Sequence, residues 1–186
     1  MSMAYTHTVP AGWDVGYLCD KVGVSQFLGQ GTSEGATTVS FSYAGTVEQF
    51  EAMTAAIETY EVDYFEDVTK PDAINKVADI RWEKQKFANF NGATLPCDDT
   101  TIGRITAAAY LMESLPSSAQ TRKWKIPGDP DTWITVDRDA LLAMGEAIAS
   151  HMQTCFDRED ELCEQISALT DQAGLDAIDI NAGWPA

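Results

Sequence analysis

Asn91-Gly92 stands between Phe87-Ala88-Asn89-Phe90 and Ala93-Thr94-Leu95-Pro96-Cys97. That dipeptide is the strongest short hairpin signal, because a two-residue reversal needs positive φ at both positions. Its flanks carry helical spacing. Upstream, Pro71 suits a first helical turn, and Ile74, Val77, Ile80, Arg81 and Trp82 extend a stripe to about Lys86. Downstream, Asp98-Asp99-Thr100-Thr101 caps a helix with Ile102, Ile105, Ala108, Ala109 and Met112, closing before Pro116. An antiparallel hairpin set between helices departs from regular βαβ alternation, and the chain is expected to be α+β.

The rest of the chain extends this pattern. Before residue 45, Val15-Gly16-Tyr17-Leu18 is strand-like, and in Thr38–Tyr43 the apolar Val39, Phe41 and Tyr43 alternate with Thr38, Ser40 and Ser42. Period two predicts a half-buried strand with one wet face. Thr46 and Gln49 form a capping-box pair opening a helix with Val47, Phe50, Met53, Ile57 and Tyr60. Acidic Glu61 to Lys70, with Val62, Tyr64, Phe65 and Val68 interleaved, is expected to be a short strand before Pro71. Residues 1–70 thus form a small β-rich module with one helix, and residues 71–186 a mainly helical module with two β-hairpins.

The second hairpin joins Lys123–Ile126 to Thr132–Val136 through the turn Pro127-Gly128-Asp129-Pro130-Asp131. Asp137 caps the longest predicted helix, from about Arg138 to Leu169. Its stripe of Leu141, Met144, Ile148, Met152, Cys155, Phe156, Leu162, Cys163 and Ile166 is a core or oligomer face, and Asp157–Glu161 a solvated charge run. Thr170-Asp171 opens a last short segment containing Leu175, Ile178 and Ile180.

Composition narrows the function classes. Among 186 residues, 29 acidic and 12 basic side chains give a net charge of −17. Neutralising phosphates requires clustered cations, and only Arg122-Lys123-Trp124-Lys125 forms a local group, so no nucleic-acid partner is expected. No apolar run suits membrane insertion, and the first residues lack the basic and apolar regions of a secretion signal, so a soluble chain is expected. Cys19, Cys97, Cys155 and Cys163 contain no C-x-x-C pair and are expected to be reduced thiols in the core.

Chemistry is thinly supplied. His7 and His151 are the only imidazoles and have no recognisable partner motif, so both are expected to be structural. Asp98 and Asp99 are adjacent rather than spaced to converge on a metal, and helix capping accounts for them. A glycosidase-type carboxylate pair among the acidic residues stays open but is unspecific. No catalytic, cofactor-binding or metal-binding residue is assigned, and no cofactor is expected. Tryptophans are the remaining candidates, since aromatic anchors dominate interface energetics where the core does not use them. Trp124 and Trp133 on the second hairpin, Trp184 near the C-terminal end and Trp13 are the candidate contact residues.

The order helix, Asn-Gly hairpin, capped helix, tryptophan hairpin and long helix resembles the domain-of-unknown-function family numbered 4376, over about residues 70 to 186. The matching pieces are Ile80-Arg81-Trp82, Phe90-Asn91-Gly92, Cys97-Asp98-Asp99-Thr100, Arg104-Ile105-Thr106, Trp133, Leu141–Gly145, Ile148-Ala149 and Trp184-Pro185. Genes of tailed bacteriophages and prophages carry that family, often in tail or tail-fibre regions. The resemblance implies a non-enzymatic virion protein of the tail, baseplate or tail fibre, present in host cytoplasm during assembly. Its implied partners are other phage tail or tail-fibre proteins, with a homo-oligomer left open. Two alternatives stand beside it: a tail-fibre assembly chaperone, and a module that binds or hydrolyses host polysaccharide.

Overall fold

The alternation of Val39, Phe41 and Tyr43 with small hydroxyl residues places one strand at the centre of a sheet. In the computed structural model, which describes residues 3–33, 35–116, 120–126 and 131–185, β3 (Thr38–Gly45) pairs antiparallel with both β1 (Met3–Pro10) and β2 (Gln26–Gly31). On its wet face Thr6 meets Ser42 and Thr8 meets Ser40, hydroxyl to hydroxyl, at 2.7 and 2.9 Å. On its dry face Phe41 and Tyr43 pack with Val9, Leu18 and Met53, all buried. The chain forms two compact units, Met1–Thr69 with Thr170–Gln172, and Lys70–Leu169 with Ala173–Ala186.

Two expected strands in the first unit are helices. Val15–Leu18 opens α1 (Val15–Val22), because Asp14 accepts a hydrogen bond from the Tyr17 N–H and Gly23 closes the helix at φ 70°. The buried residues Val15, Leu18 and Cys19 follow i, i+3, i+4, the period of a helix. Thr46 and Gln49 make the reciprocal capping box of α2 (Val47–Glu58). Glu61–Lys70 is helical too: α3 (Tyr60–Tyr64) runs into a π turn (Phe65–Thr69). Tyr60 and Tyr64, four apart, stack at 5.2 Å, while Asp63 and Asp67, also four apart, both pair with Lys21. The first unit therefore holds several helices where one was expected.

In the second unit α4 (Lys70–Lys84) precedes the hairpin β4 (Phe87–Phe90) and β5 (Ala93–Pro96). Asn91 and Gly92 at φ 51° and 80° make the tight reversal expected of them. Asp98 caps α5 (Asp99–Glu113), the hairpin β6 (Arg122–Ile126) and β7 (Thr132–Val136) follows, and Asp137 caps α6 (Arg138–Ser167). The expected turn over residues 127–130 lies outside the described residues.

The apolar stripe of α6 serves two clusters. Leu141, Met144 and Ile148 pack with Ile105, Ala109 and Met112 of α5 and with Ala88, Leu95, Ile126 and Val136 of the hairpins. Leu162 and Ile166 pack with Ala73 and Val77 of α4, covered by Leu175 of α7 (Gln172–Asp176) and by Ile178, Ile180 and Trp184 beyond it. Each large side chain buried in these clusters contributes about 2 kcal/mol. Phe156 departs from the expected stripe and is 43% exposed. The run Asp157–Glu161 is not uniformly solvated either: Glu159 pairs with the buried Arg81, and Arg158 pairs with Glu161 while donating to the Ala182 carbonyl.

Candidate functional site

Antiparallel register sets Lys125 opposite Trp133 and Trp124 opposite Ile134. Ile126 and Val136 turn into the core, and Trp124 packs half-buried beside them. Trp133 is 61% exposed. The two indoles line one open cleft of about 290 Å³, together with Leu95 and Pro96 of β5, Thr101 and Arg104 of α5, and Lys123 and Lys125 of β6. Three of the chain's twelve cations thus gather where the lining supplies no carboxylate. Lys125 forms an ion pair with Asp131, whereas the side chains of Arg104 and Lys123 make no hydrogen bond or ion pair among the described residues. Asp98, the cap of α5, accepts from the Thr101 N–H at 2.8 Å. That bond, aided by the nearby Arg104, holds its carboxyl below the usual range.

The other tryptophan candidates are placed elsewhere. Trp184 packs on the cluster around Leu162 and Ile166, and its indole N–H donates to the Ile180 carbonyl at 2.9 Å. Trp13 stacks on Tyr60 at 3.9 Å, nearly parallel, in the first unit. Both have local packing partners, and neither joins the cleft that holds Trp124 and Trp133. The reading from sequence missed Arg104. Its α5 position lies about twenty residues before β6, and no local spacing signals their meeting.

A second cleft, about 550 Å³, opens beside the first turn of α5 and is lined by Arg81, Trp82, Gln85, Lys86, Cys97, Asp98, Asp99, Met152 and Phe156. Arg81 is the organising residue. Its guanidinium lies 4.8 Å from the Trp82 ring and 4.7 Å from that of Phe156, and it donates to Gln85 Oε1 at 2.5 Å. Nε lies 2.7 Å from Glu159 Oε2 but off the line of its N–H bond, making an ion pair without a hydrogen bond. Burial at 8% exposure makes this pairing necessary, since an unpaired buried charge is costly. Trp82, expected within the helical stripe, is 59% exposed.

Among the described residues, the closest approach to a catalytic pair is Cys155 and His151 on successive turns of α6, with Sγ 3.8 Å from Nε2. The same Nε2 lies 3.0 Å from the Lys84 carbonyl, an acceptor, so it must carry the proton and cannot take one from the thiol. Burial pushes the Cys155 thiol up, away from thiolate, and its residue is wholly enclosed. The four cysteines are free thiols, Cys19 and Cys155 buried, Cys97 and Cys163 half-buried. His7, stacked among Phe41, Tyr43 and Phe50, is held below its ordinary pKa by burial. Among the described residues no three His, Cys, Asp or Glu side chains converge as a metal site, and no helix is long and apolar enough to cross a membrane.

These features define an α+β protein of two units whose second unit presents, among its surface clefts, one that is basic and aromatic and one built around a buried arginine. That unit belongs to a named family: the chain is a member of Domain of unknown function (DUF4376), whose model matches residues 68–182. No curated protein and no solved structure matches the chain. Some of the residues that carried the resemblance lie at the clefts. Arg81, Trp82, Cys97, Asp98 and Asp99 line the second, and Arg104 and Trp133 the first.

Proposed function

We propose that the protein is a non-enzymatic docking component of the tail apparatus of a tailed bacteriophage, in the tail, baseplate or tail fibre. One observation supports docking above all. Trp133, exposed, and Trp124, half-buried, line one cleft from opposite faces of the hairpin, and aromatic residues of this kind are the anchors from which protein interfaces draw most of their energy. The wholly enclosed thiol and the misdirected imidazole proton of the Cys155–His151 pair favour binding over turnover. Placement in a phage rests on what the resemblance to that family implies.

The test is quantitative mass spectrometry of gradient-purified particles against the infected-cell lysate. A structural subunit is expected in particles at a fixed ratio to tail proteins, with a cytoplasmic pool during assembly. Abundance in lysate with absence from particles replaces this reading with a transient tail-fibre assembly chaperone. The open indole of Trp133 favours one other reading, a module for host-surface polysaccharide, because sugar rings stack on exposed tryptophan. Glycan binding, or release of reducing ends, by the purified chain is its signature.

A further inference from the structure

The hydrogen-bonding inventory of the first cleft is one-sided. Arg104, Lys123 and Lys125 only donate, the indole N–H groups of Trp124 and Trp133 only donate, and the Thr101 hydroxyl is the one neutral side-chain group that can accept. A sugar hydroxyl both donates and accepts, so a neutral glycan would leave its own donors largely unanswered here. A carboxylate accepts only and matches the rim. The lining also takes residues from both faces of the hairpin, which places the cleft along β6, and among the described residues β6 pairs on one side only. An unpaired strand edge offers backbone groups to an extended polypeptide.

We infer that the cleft formed by Trp124, Trp133, Arg104 and Lys123 receives an acidic, extended segment of a partner protein, its carboxylates on the cations and its apolar groups on the indoles. This rests on the docking reading and names the chemistry of the docked chain. On a molecule of net charge −17, three cations lining one cleft whose lining holds no carboxylate form a local exception. Nonspecific attraction of a polyanion is opposed by the rest of the surface, so binding at this cleft is specific by charge.

The test uses the full chain and fluorescein-labelled (Glu-Pro)3 amide, whose carboxylates suit the rim and whose prolines suit the indoles, with (Gln-Pro)3 amide as its uncharged counterpart. Anisotropy titration at low salt is expected to give saturable binding for the glutamate peptide and none for the glutamine one. Lys123→Glu and Arg104→Glu are each expected to weaken it about tenfold, and Lys123→Gln about threefold. Lys123 is exposed, so the glutamine variant keeps its thermal melt and decides the matter if charge reversal disturbs folding. Equal binding of both peptides, no saturable binding, indifference to these substitutions, or binding of hexagalacturonate alone overturns the proposal. Particles lacking the chain, with peptide binding intact, overturn the tail assignment instead. Particles containing it at fixed ratio, with no peptide binding, overturn the acidic-segment assignment alone.

Discussion

Arg81 is the one buried arginine or lysine among the described residues. It is held by two aromatic faces, a glutamine and Glu159, whose own side chain is 21% exposed. Removing the guanidinium leaves a carboxylate without its partner and two rings without their cation. Arg81→Ala is expected to lower stability by about 3 kcal/mol, somewhat less than a fully enclosed pair because water still reaches Glu159. Arg81→Lys keeps the charge but loses the planar fork, and falls between. Urea denaturation at neutral pH measures both, and a loss in the alanine variant below about 1 kcal/mol would remove Arg81 from its organising position. The helical stripe that includes Arg81 was legible in sequence. Its burial was not, since Glu159 lies nearly eighty residues away and only the packing of α4 on α6 brings them together.

At the scale of elements, what could be read from sequence was what short stretches of chain decide. The alternation in β3, the capping box at Thr46, the Asn91-Gly92 turn and the caps Asp98 and Asp137 each involve residues within a few positions of one another. Val15–Leu18 and Glu61–Lys70 went the other way because β-branched and aromatic residues favour strands locally. Their helices depend on the Asp14 and Gly23 caps and on Lys21 reaching Asp63 and Asp67 across more than forty residues. The second hairpin, with its tryptophans and the basic group of Lys123 and Lys125, was the part of the first cleft legible in sequence, while α5 supplied Thr101 and Arg104 from outside any local window. The backbone logic of the turns gives a paired prediction. Gly92→Ala, at φ 80° with open space around a new Cβ, is expected to cost about 1 kcal/mol in backbone strain alone. Gly103→Ala, inside α5 and equally unobstructed, is expected to gain about 0.5–1 kcal/mol. Thermal melts of the two variants moving in the same direction would contradict this account.

The whole molecule carries its acidity into its stability. With −17 distributed over 186 residues, self-repulsion opposes the folded state at neutral pH. Raising sodium chloride from about 20 mM to about 0.5 M shortens the screening length severalfold, and the melting temperature is expected to rise. A flat or falling curve would mean that the ion pairs of Lys21, Arg81 and Arg158 outweigh the net charge. The division of the α6 stripe has a consequence in time. Ala73 and Val77 find their partners in Leu162 and Ile166, so the apolar face of α4 leaves the ribosome about ninety residues before the chain that covers it. At roughly 5–20 residues per second that face stays bare for about 5–20 s of synthesis. During that interval the growing chain depends on the crowded cytoplasm around it, and a nascent-chain chaperone has its longest opportunity to bind.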